Sequence, residues 1–151
     1  MCDKTNVTIY TDGSAPENSK GHGRGGWCAI LVSGEHEKVL SGREDDTTNN
    51  RQELRAVIEG LNALKFPCCV TITTDSEYVK NGVTEWSIKW KRNGWKNAAG
   101  KPVKNQDLWR ELDKALSRHT VSWEWVRGHN GHPQNERCDS EARRQADLNK
   151  Q

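Results

Sequence analysis

The apolar positions of the chain fall into two rhythms. Val7 and Ile9 alternate with polar neighbours over residues 7–11, the period of a half-buried strand, and Asp12-Gly13-Ser14 ends that strand. Residues 27–32 read as a second strand and residues 38–43 as a third, and the short spacings predict antiparallel hairpins. Leu54, Val57, Ile58, Leu61 and Leu64 then recur at helical spacing, from a start near Asn49-Asn50 to a stop before Pro67. Residues 70–74 form a fourth strand. A strand, a long helix and another strand imply a right-handed crossover and parallel pairing. Short helices follow over residues 76–92. Leu108, Leu112, Ala115 and Leu116 mark a further helix with Asn105 as its cap. A fifth strand covers 121–126, with Val121, Trp123 and Trp125 on one face. The last helix starts near Pro133, a residue suited to the first helical position, and carries Cys138, Ala142 and Ala146 on one side. The expected class is α/β, with a five-stranded mixed sheet flanked by helices.

Length allows one domain, residues 1–151, with a real core, and there is no repeat, linker or low-complexity tract. No apolar run approaches the ~20 residues needed to cross a bilayer, and the start Met1-Cys2-Asp3-Lys4 is not a signal peptide. Five cysteines with no C-x-x-C argue against a disulfide framework or zinc knuckle and for a reducing, cytoplasmic setting. Cys28, Cys69 and Cys138 are expected in the core. The net charge of +2 hides an uneven spread, because residues 86–105 hold Lys89, Lys91, Arg92, Lys96, Lys101 and Lys104 and no acid. One strongly basic patch on a nearly neutral chain points to a polyanionic partner met on one face. Trp86, Trp90 and Trp95 share this stretch, and Trp90 and Trp95 are expected to pack inward.

Two segments rhyme, Thr11-Asp12-Gly13-Ser14 and Thr74-Asp75-Ser76-Glu77, each placing an aspartate just past a predicted strand. Ligands of open α/β sheets bind at such strand ends. If the two strands are neighbours, the carboxylates repel by ~4 kcal/mol at ~4 Å and an effective dielectric near 20. A cluster of that kind needs a proton or a hard divalent cation. Each aspartate also serves as a turn former or helix cap, and both readings stay open for the pair. Glu53 has capping-box spacing from Asn50. Asp139, early in the last helix, suits the helix dipole. Gly128-His129-Asn130-Gly131-His132 places an imidazole between glycines, where it suits proton shuttling. His132 reads as structural, and H-x-x-H lacks the glutamate of a zinc protease helix.

Four motifs occur in order: T-D-G-S near the start, T-N-N-R-x-E-L opening the first long helix, T-D-S-x-Y-V after strand four, and G-H-x-G-H-P-x-N-E-R-C-D near the end. With W-x-x-x-W-K-x-x-G-W-K and K-P-V-K-N-x-D-L-W between them, the chain closely resembles type 1 ribonuclease H of bacteria over nearly its whole length. The resemblance implies the ribonuclease H fold, endonucleolytic cutting of the RNA strand of an RNA–DNA hybrid, and products with a 5′-phosphate and a 3′-hydroxyl. It places the family's acidic positions on Asp12, Glu53, Asp75 and Asp139, holding two Mg²⁺ ions, with Mn²⁺ a substitute. Asp12 would bridge the ions, Glu53 and Asp75 hold the one on the leaving-group side, and Asp75 and Asp139 the one that activates water. His129 would assist proton transfer or product release.

The same resemblance makes residues 86–105 a protrusion gripping the DNA strand through Lys89, Lys91, Arg92 and Lys96. Trp86 would pack on DNA sugars, with Tyr78 beside it. Asn49, Asn50 and the backbone of Gly13 and Ser14 would face the RNA minor groove, where the 2′-hydroxyl is read. Thr48 and Asn105 would bind a DNA phosphate. Two positions depart from the pattern. Asp46 replaces the Arg of many members near that pocket, with Glu44 and Asp45 beside it, and Glu77 replaces a Gln. A monomer without a separate hybrid-binding module is expected. Integrases, junction resolvases and exonucleases share the fold and the acids, but the basic protrusion and T-N-N-R-x-E argue against them. Four intact acids argue against a non-catalytic binding domain.

Overall fold

Residues Cys28-Ala29-Ile30-Leu31 are apolar at every position, and the computed structural model, which describes residues 4–15, 23–127 and 133–147, shows why. They lie in β2 (Gly23–Ser33), which is covered on both faces. Ala29 and Leu31 pack with Leu54, Val57, Ile58 and Leu61 of α1 (Asn49–Asn62). Cys28 and Ile30 face Cys138 and Ala142 of α5 (Pro133–Asp147). A strand buried on both faces loses the alternation that marks a half-exposed one.

The sheet order is β3-β2-β1-β4-β5. β1 (Asn6–Ser14) pairs antiparallel with β2, and β2 with β3 (His36–Thr47). β4 (Cys69–Thr74) runs parallel to β1, and β5 (Thr120–Trp125) parallel to β4. The hairpins, the crossover through α1 and the parallel pair are as the sequence predicts. α4 (Gln106–Ser117) joins α1 on one face of the sheet, adding Leu108, Trp109, Leu112 and Ala115 to the larger core. Truncating one of these buried leucines to alanine costs ~2–5 kcal/mol.

Between β4 and α4 the chain forms α2 (Glu77–Asn81), a single π-helical turn (Gly82–Trp86) and α3 (Ser87–Arg92). The amide of Ser87 reaches back five residues to the carbonyl of Gly82. Gly82 cannot be replaced without moving its neighbour, because a Cβ there would lie 1.9 Å from the buried ring of Trp109.

Several local expectations are corrected. β3 runs well beyond residues 38–43, because its pairing with β2 continues to Gly23 and Thr47 across a bulge. Its far half is charged and partly exposed, so no apolar rhythm reveals it. Asp46 sits in this stretch with φ 53°, a left-handed conformation that aspartate tolerates better than most residues. The cap of α1 is Thr48, whose hydroxyl accepts from the Arg51 amide at 3.2 Å, so Asn50 and Glu53 form no capping box. Asn105 does precede α4, but in a left-handed conformation and without a side-chain cap. Cys68, rather than Cys69, fills the core alongside Cys28 and Cys138. Cys69 is half-buried and disulfide-bonded, while Cys28, Cys68 and Cys138 are free thiols.

Candidate active site

The parallel register of β1 and β4 ends with Tyr10 opposite Thr73. Two residues further on, the same stagger brings Asp12 and Asp75 to the carboxyl ends of two adjacent central strands. Asp12 lies inside β1 rather than past its end, because β1 goes on pairing with β2, Asp12 opposite Cys28. Glu53, the fifth residue of α1, reaches the same place from above the sheet. Gly13 makes that approach possible, since a Cβ there would lie 2.4 Å from the backbone of Gln52 and Glu53. Carboxylate oxygens of Asp12, Glu53 and Asp75 lie within 4.8 Å of one another. Asp139 joins from α5, hydrogen-bonded to Asp12 and ion-paired with Arg143 one turn along.

Burial and mutual repulsion dominate the electrostatics. Asp12 is 5% exposed. Its carboxyl is pushed up to about 10, first by burial and then by the charges of Glu53, Asp75 and Asp139. Glu53 is pushed up to about 8 by burial and by Asp75, although the Gly13 amide and the Asp12 and Ser76 side chains pull the other way. The Gly13 amide also donates to Asp12 Oδ1 at 2.8 Å. Glu53 Oε1 is buried with no hydrogen-bond donor among the described residues. Protein donors are too few for this much negative charge, and an oxygen-only donor set is what a hard divalent cation takes. The residues present therefore fit such an ion.

A second grouping lies beside the first. Arg51 donates to Asn105 Oδ1 at 3.1 Å and makes a forked ion pair with Asp107 at 2.8 and 3.0 Å. Its own amide bonds Thr48, so Arg51 ties Thr48 to Asn105. Asn105 in turn donates to the Tyr78 hydroxyl at 2.9 Å, which also accepts from Trp109 Nε1 at 3.0 Å. The Tyr78 ring meets Trp86 edge-on at 5.8 Å, and Trp86 meets Trp90 at 5.8 Å. Trp90 and Trp95 pack on the core as expected. Asn49 accepts from the Ala15 amide, which tethers the chain just after Ser14 to the start of α1. Asn50 is exposed, and Ser14 half-buried.

Lys89, Lys91, Arg92 and Lys96 stand in solvent, Lys91 paired with Asp113 at 2.5 Å. Of the acids beside Asp46, Glu44 accepts from Gln52 and Arg55 at 3.0 and 3.3 Å. His129 and His132 lie outside the described residues. Sequence reasoning missed Arg51 and Arg143 as organising residues. The first stands inside T-N-N-R-x-E, and the second four residues beyond Asp139, the spacing of a helical ion pair.

With that geometry in place, the RNase H family profile matches residues 4–147. The chain belongs to the RNase H family. A ribonuclease H of Hydrogenovibrio crunogenus is 58% identical over 141 residues, covering 93% of this chain and 95% of that protein. A ribonuclease HI of Neisseria meningitidis serogroup A is 58% identical over 140 residues, covering 93% and 94%. Among solved structures, LC9-RNase H1, a type 1 RNase H with the type 2 active-site motif, superposes with a TM-score of 0.86 at 34% identity, over 97% of this chain and 74% of that one. The foamy-virus RNase H domain gives 0.73 at 26% identity, over 95% of both chains. The type 1 resemblance and the ribonuclease H fold, with its mixed five-stranded sheet, both hold.

Proposed function

We propose that this RNase H hydrolyses the RNA strand of RNA–DNA hybrids as an endonuclease, leaving 5′-phosphate and 3′-hydroxyl ends. The convergence of Asp12, Glu53 and Asp75 within 4.8 Å carries the reading. These three and Asp139 would hold two Mg²⁺ ions, with Mn²⁺ a substitute. Such ions supply an activated water and a stabilised leaving oxygen.

The chain's own groups do the rest. The Gly13 amide holds Asp12 in place. Asn49, Asn50 and the backbone of Gly13 and Ser14 face the RNA strand. Thr48, Asn105 and, by its contacts with both, Arg51 form the pocket for a DNA phosphate. Tyr78 and Trp86 offer ring faces to DNA sugars, and Lys89, Lys91, Arg92 and Lys96 attract the same strand's phosphates. His129 moves a proton or helps the product leave. A foamy viral protease–reverse transcriptase solved with an RNA/DNA hybrid aligns over 95% of this chain with a TM-score of 0.70 at 25% identity. The same reading has this single domain working as a monomer in the cytoplasm.

Labelled RNA–DNA, RNA–RNA and DNA–DNA duplexes of one sequence, incubated with the protein and Mg²⁺, test the reading. Cutting of the hybrid's RNA alone is the expected result. Equal cutting of all three, or none of any, overturns it.

A further inference from the structure

Beyond Asp75, on the side away from Asp12, the ends of β4 and β5 enclose a cleft of about 250 Å³. Asp75, Glu77, Lys80, Trp125 and Arg127 line it. The β4–β5 ladder runs to its floor, where the Val126 amide bonds the Thr74 carbonyl at 3.0 Å. The half-buried Trp125 ring is held there by stacking on Trp123 at 5.0 Å and 7°. Strand ends supply Thr74 and Trp125, α2 supplies Glu77 and Lys80, and the residues just past the two strands supply the rest.

The charges of the cleft are two acids against two bases. Lys80 and Arg127 are exposed, and within the described residues neither makes an ion pair or a side-chain hydrogen bond. They differ in this from Arg51, Arg55, Arg137, Arg143 and Arg144, each of which is spent on a carboxylate of the fold. Of the two acids, Asp75 turns to the carboxylate cluster. When that cluster takes up cations, the remaining charge of the cleft is positive, with Glu77 alone opposing it.

We propose that Lys80 and Arg127 bind a phosphate of the RNA strand, the one next to the phosphate being cut, and so offset the acid at Glu77. The cleft adjoins Asp75 on the β5 side, so a strand engaged at Asp12 and Asp75 that runs on along the sheet order would pass over it. A small, partly walled pocket with two unspent bases suits a solvated phosphodiester and is too small for a base pair. The inference rests on the hybrid-cutting reading and adds a specificity-determining pair to it.

The test uses hybrids in which single RNA-strand phosphates within two positions of the cut are replaced by neutral methylphosphonates. Binding is measured with the cleavage-defective Asp12→Asn protein, with and without Lys80→Gln and Arg127→Gln. One neutral linkage next to the cut should weaken binding about tenfold in the parent, and the same linkage should cost nothing further in the double variant. In the active enzyme, Lys80→Gln with Arg127→Gln should raise KM about tenfold, more than it lowers kcat. It should also flatten the slope of log affinity against log salt by about one unit per lost contact. Glu77→Gln should act in the opposite direction and tighten binding at low salt. Equal penalties from the neutral linkage in parent and double variant overturn the proposal, as does an unchanged salt slope or a loss confined to kcat. Failure of the unsubstituted enzyme to cut any hybrid would instead sink the underlying functional reading.

Discussion

Asp12 is 5% exposed and gathers its partners from three other elements, whereas Lys89, Lys91, Arg92 and Lys96 stand in solvent on a single stretch. The first region is assembled by topology. β1, α1, β4 and α5 each deliver one carboxylate, and the low local dielectric makes each group sensitive to the others. The second is assembled by composition. Its bases need only be near one another, and their attraction falls off over a Debye length of ~8 Å at physiological salt. Chemistry is thus placed where one atom matters, and affinity where several atoms share the effect.

The largest effect should come from Asp12→Asn. It keeps the shape of the side chain, removes a charge from the buried cluster, and should cut turnover by roughly 10³-fold or more in Mg²⁺. Single-turnover rates check this, and a variant keeping a tenth of the parent rate would place the chemistry elsewhere. The same change should stabilise the metal-free fold. Asp12 and Glu53 both have values raised in the folded state, to about 10 and about 8, so the native chain holds protons that the unfolded chain releases. Stability without metal should therefore be full below the ordinary carboxylate range and fall as pH rises toward 8 and beyond. Urea unfolding with a chelator at about pH 5 and about pH 8.5 should show the loss, and Mg²⁺ or Asp12→Asn should remove most of it. A flat profile would mean that the cluster is not strained by its own charge.

Next in size is His129→Ala, expected to slow turnover by ~10²-fold at the low end of general acid–base help, while binding is kept. A pH–rate profile unchanged by the substitution would remove the imidazole from the mechanism. The basic region should respond differently. Alanine at Lys89, Arg92 and Lys96 should raise KM more than it lowers kcat, and flatten the salt slope by a little under one unit per contact. Lys91 should matter less, being already paired with Asp113. If kcat collapsed while the slope held, the contrast between the two regions would be lost. The smallest effect belongs to Asp46. Its φ of 53° makes arginine a poor probe there, since strain would mask any gain in charge. Asn tolerates that conformation, and Asp46→Asn should lower KM about twofold at low salt and not at high salt.

The carboxylates were readable in the sequence because each lies in a recognisable motif. Their packing was not. Nothing in the pattern of apolar residues says that a Cβ at Gly13 would lie 2.4 Å from the α1 backbone, because that is a fact about a missing atom. Glu53 had a bland reading as a capping-box acid, and it failed only when Thr48 proved to be the cap. The far half of β3 escaped because its side chains are charged and its pairing is carried by backbone alone. Arg51 was hidden for another reason. Its partners Asn105 and Asp107 lie more than fifty residues away, and only the fold brings them together.

The π-helical turn at Gly82–Trp86 has a consequence for how this part of the chain tolerates change in length. A wide turn holds one more residue than an α-helical one, so it sets the rotational phase of α3 relative to α2. With it, Trp86 and Trp90 turn toward Tyr78 and Trp109, and the lysines turn outward. Each residue of a helix advances by about 100°. Deleting one residue here would therefore swing the tryptophans toward water and the lysines toward the core, without altering a single remaining side chain. Drift in side-chain identity across residues 82–86 is tolerable wherever Gly82 and the rings are kept, but drift in their number is not.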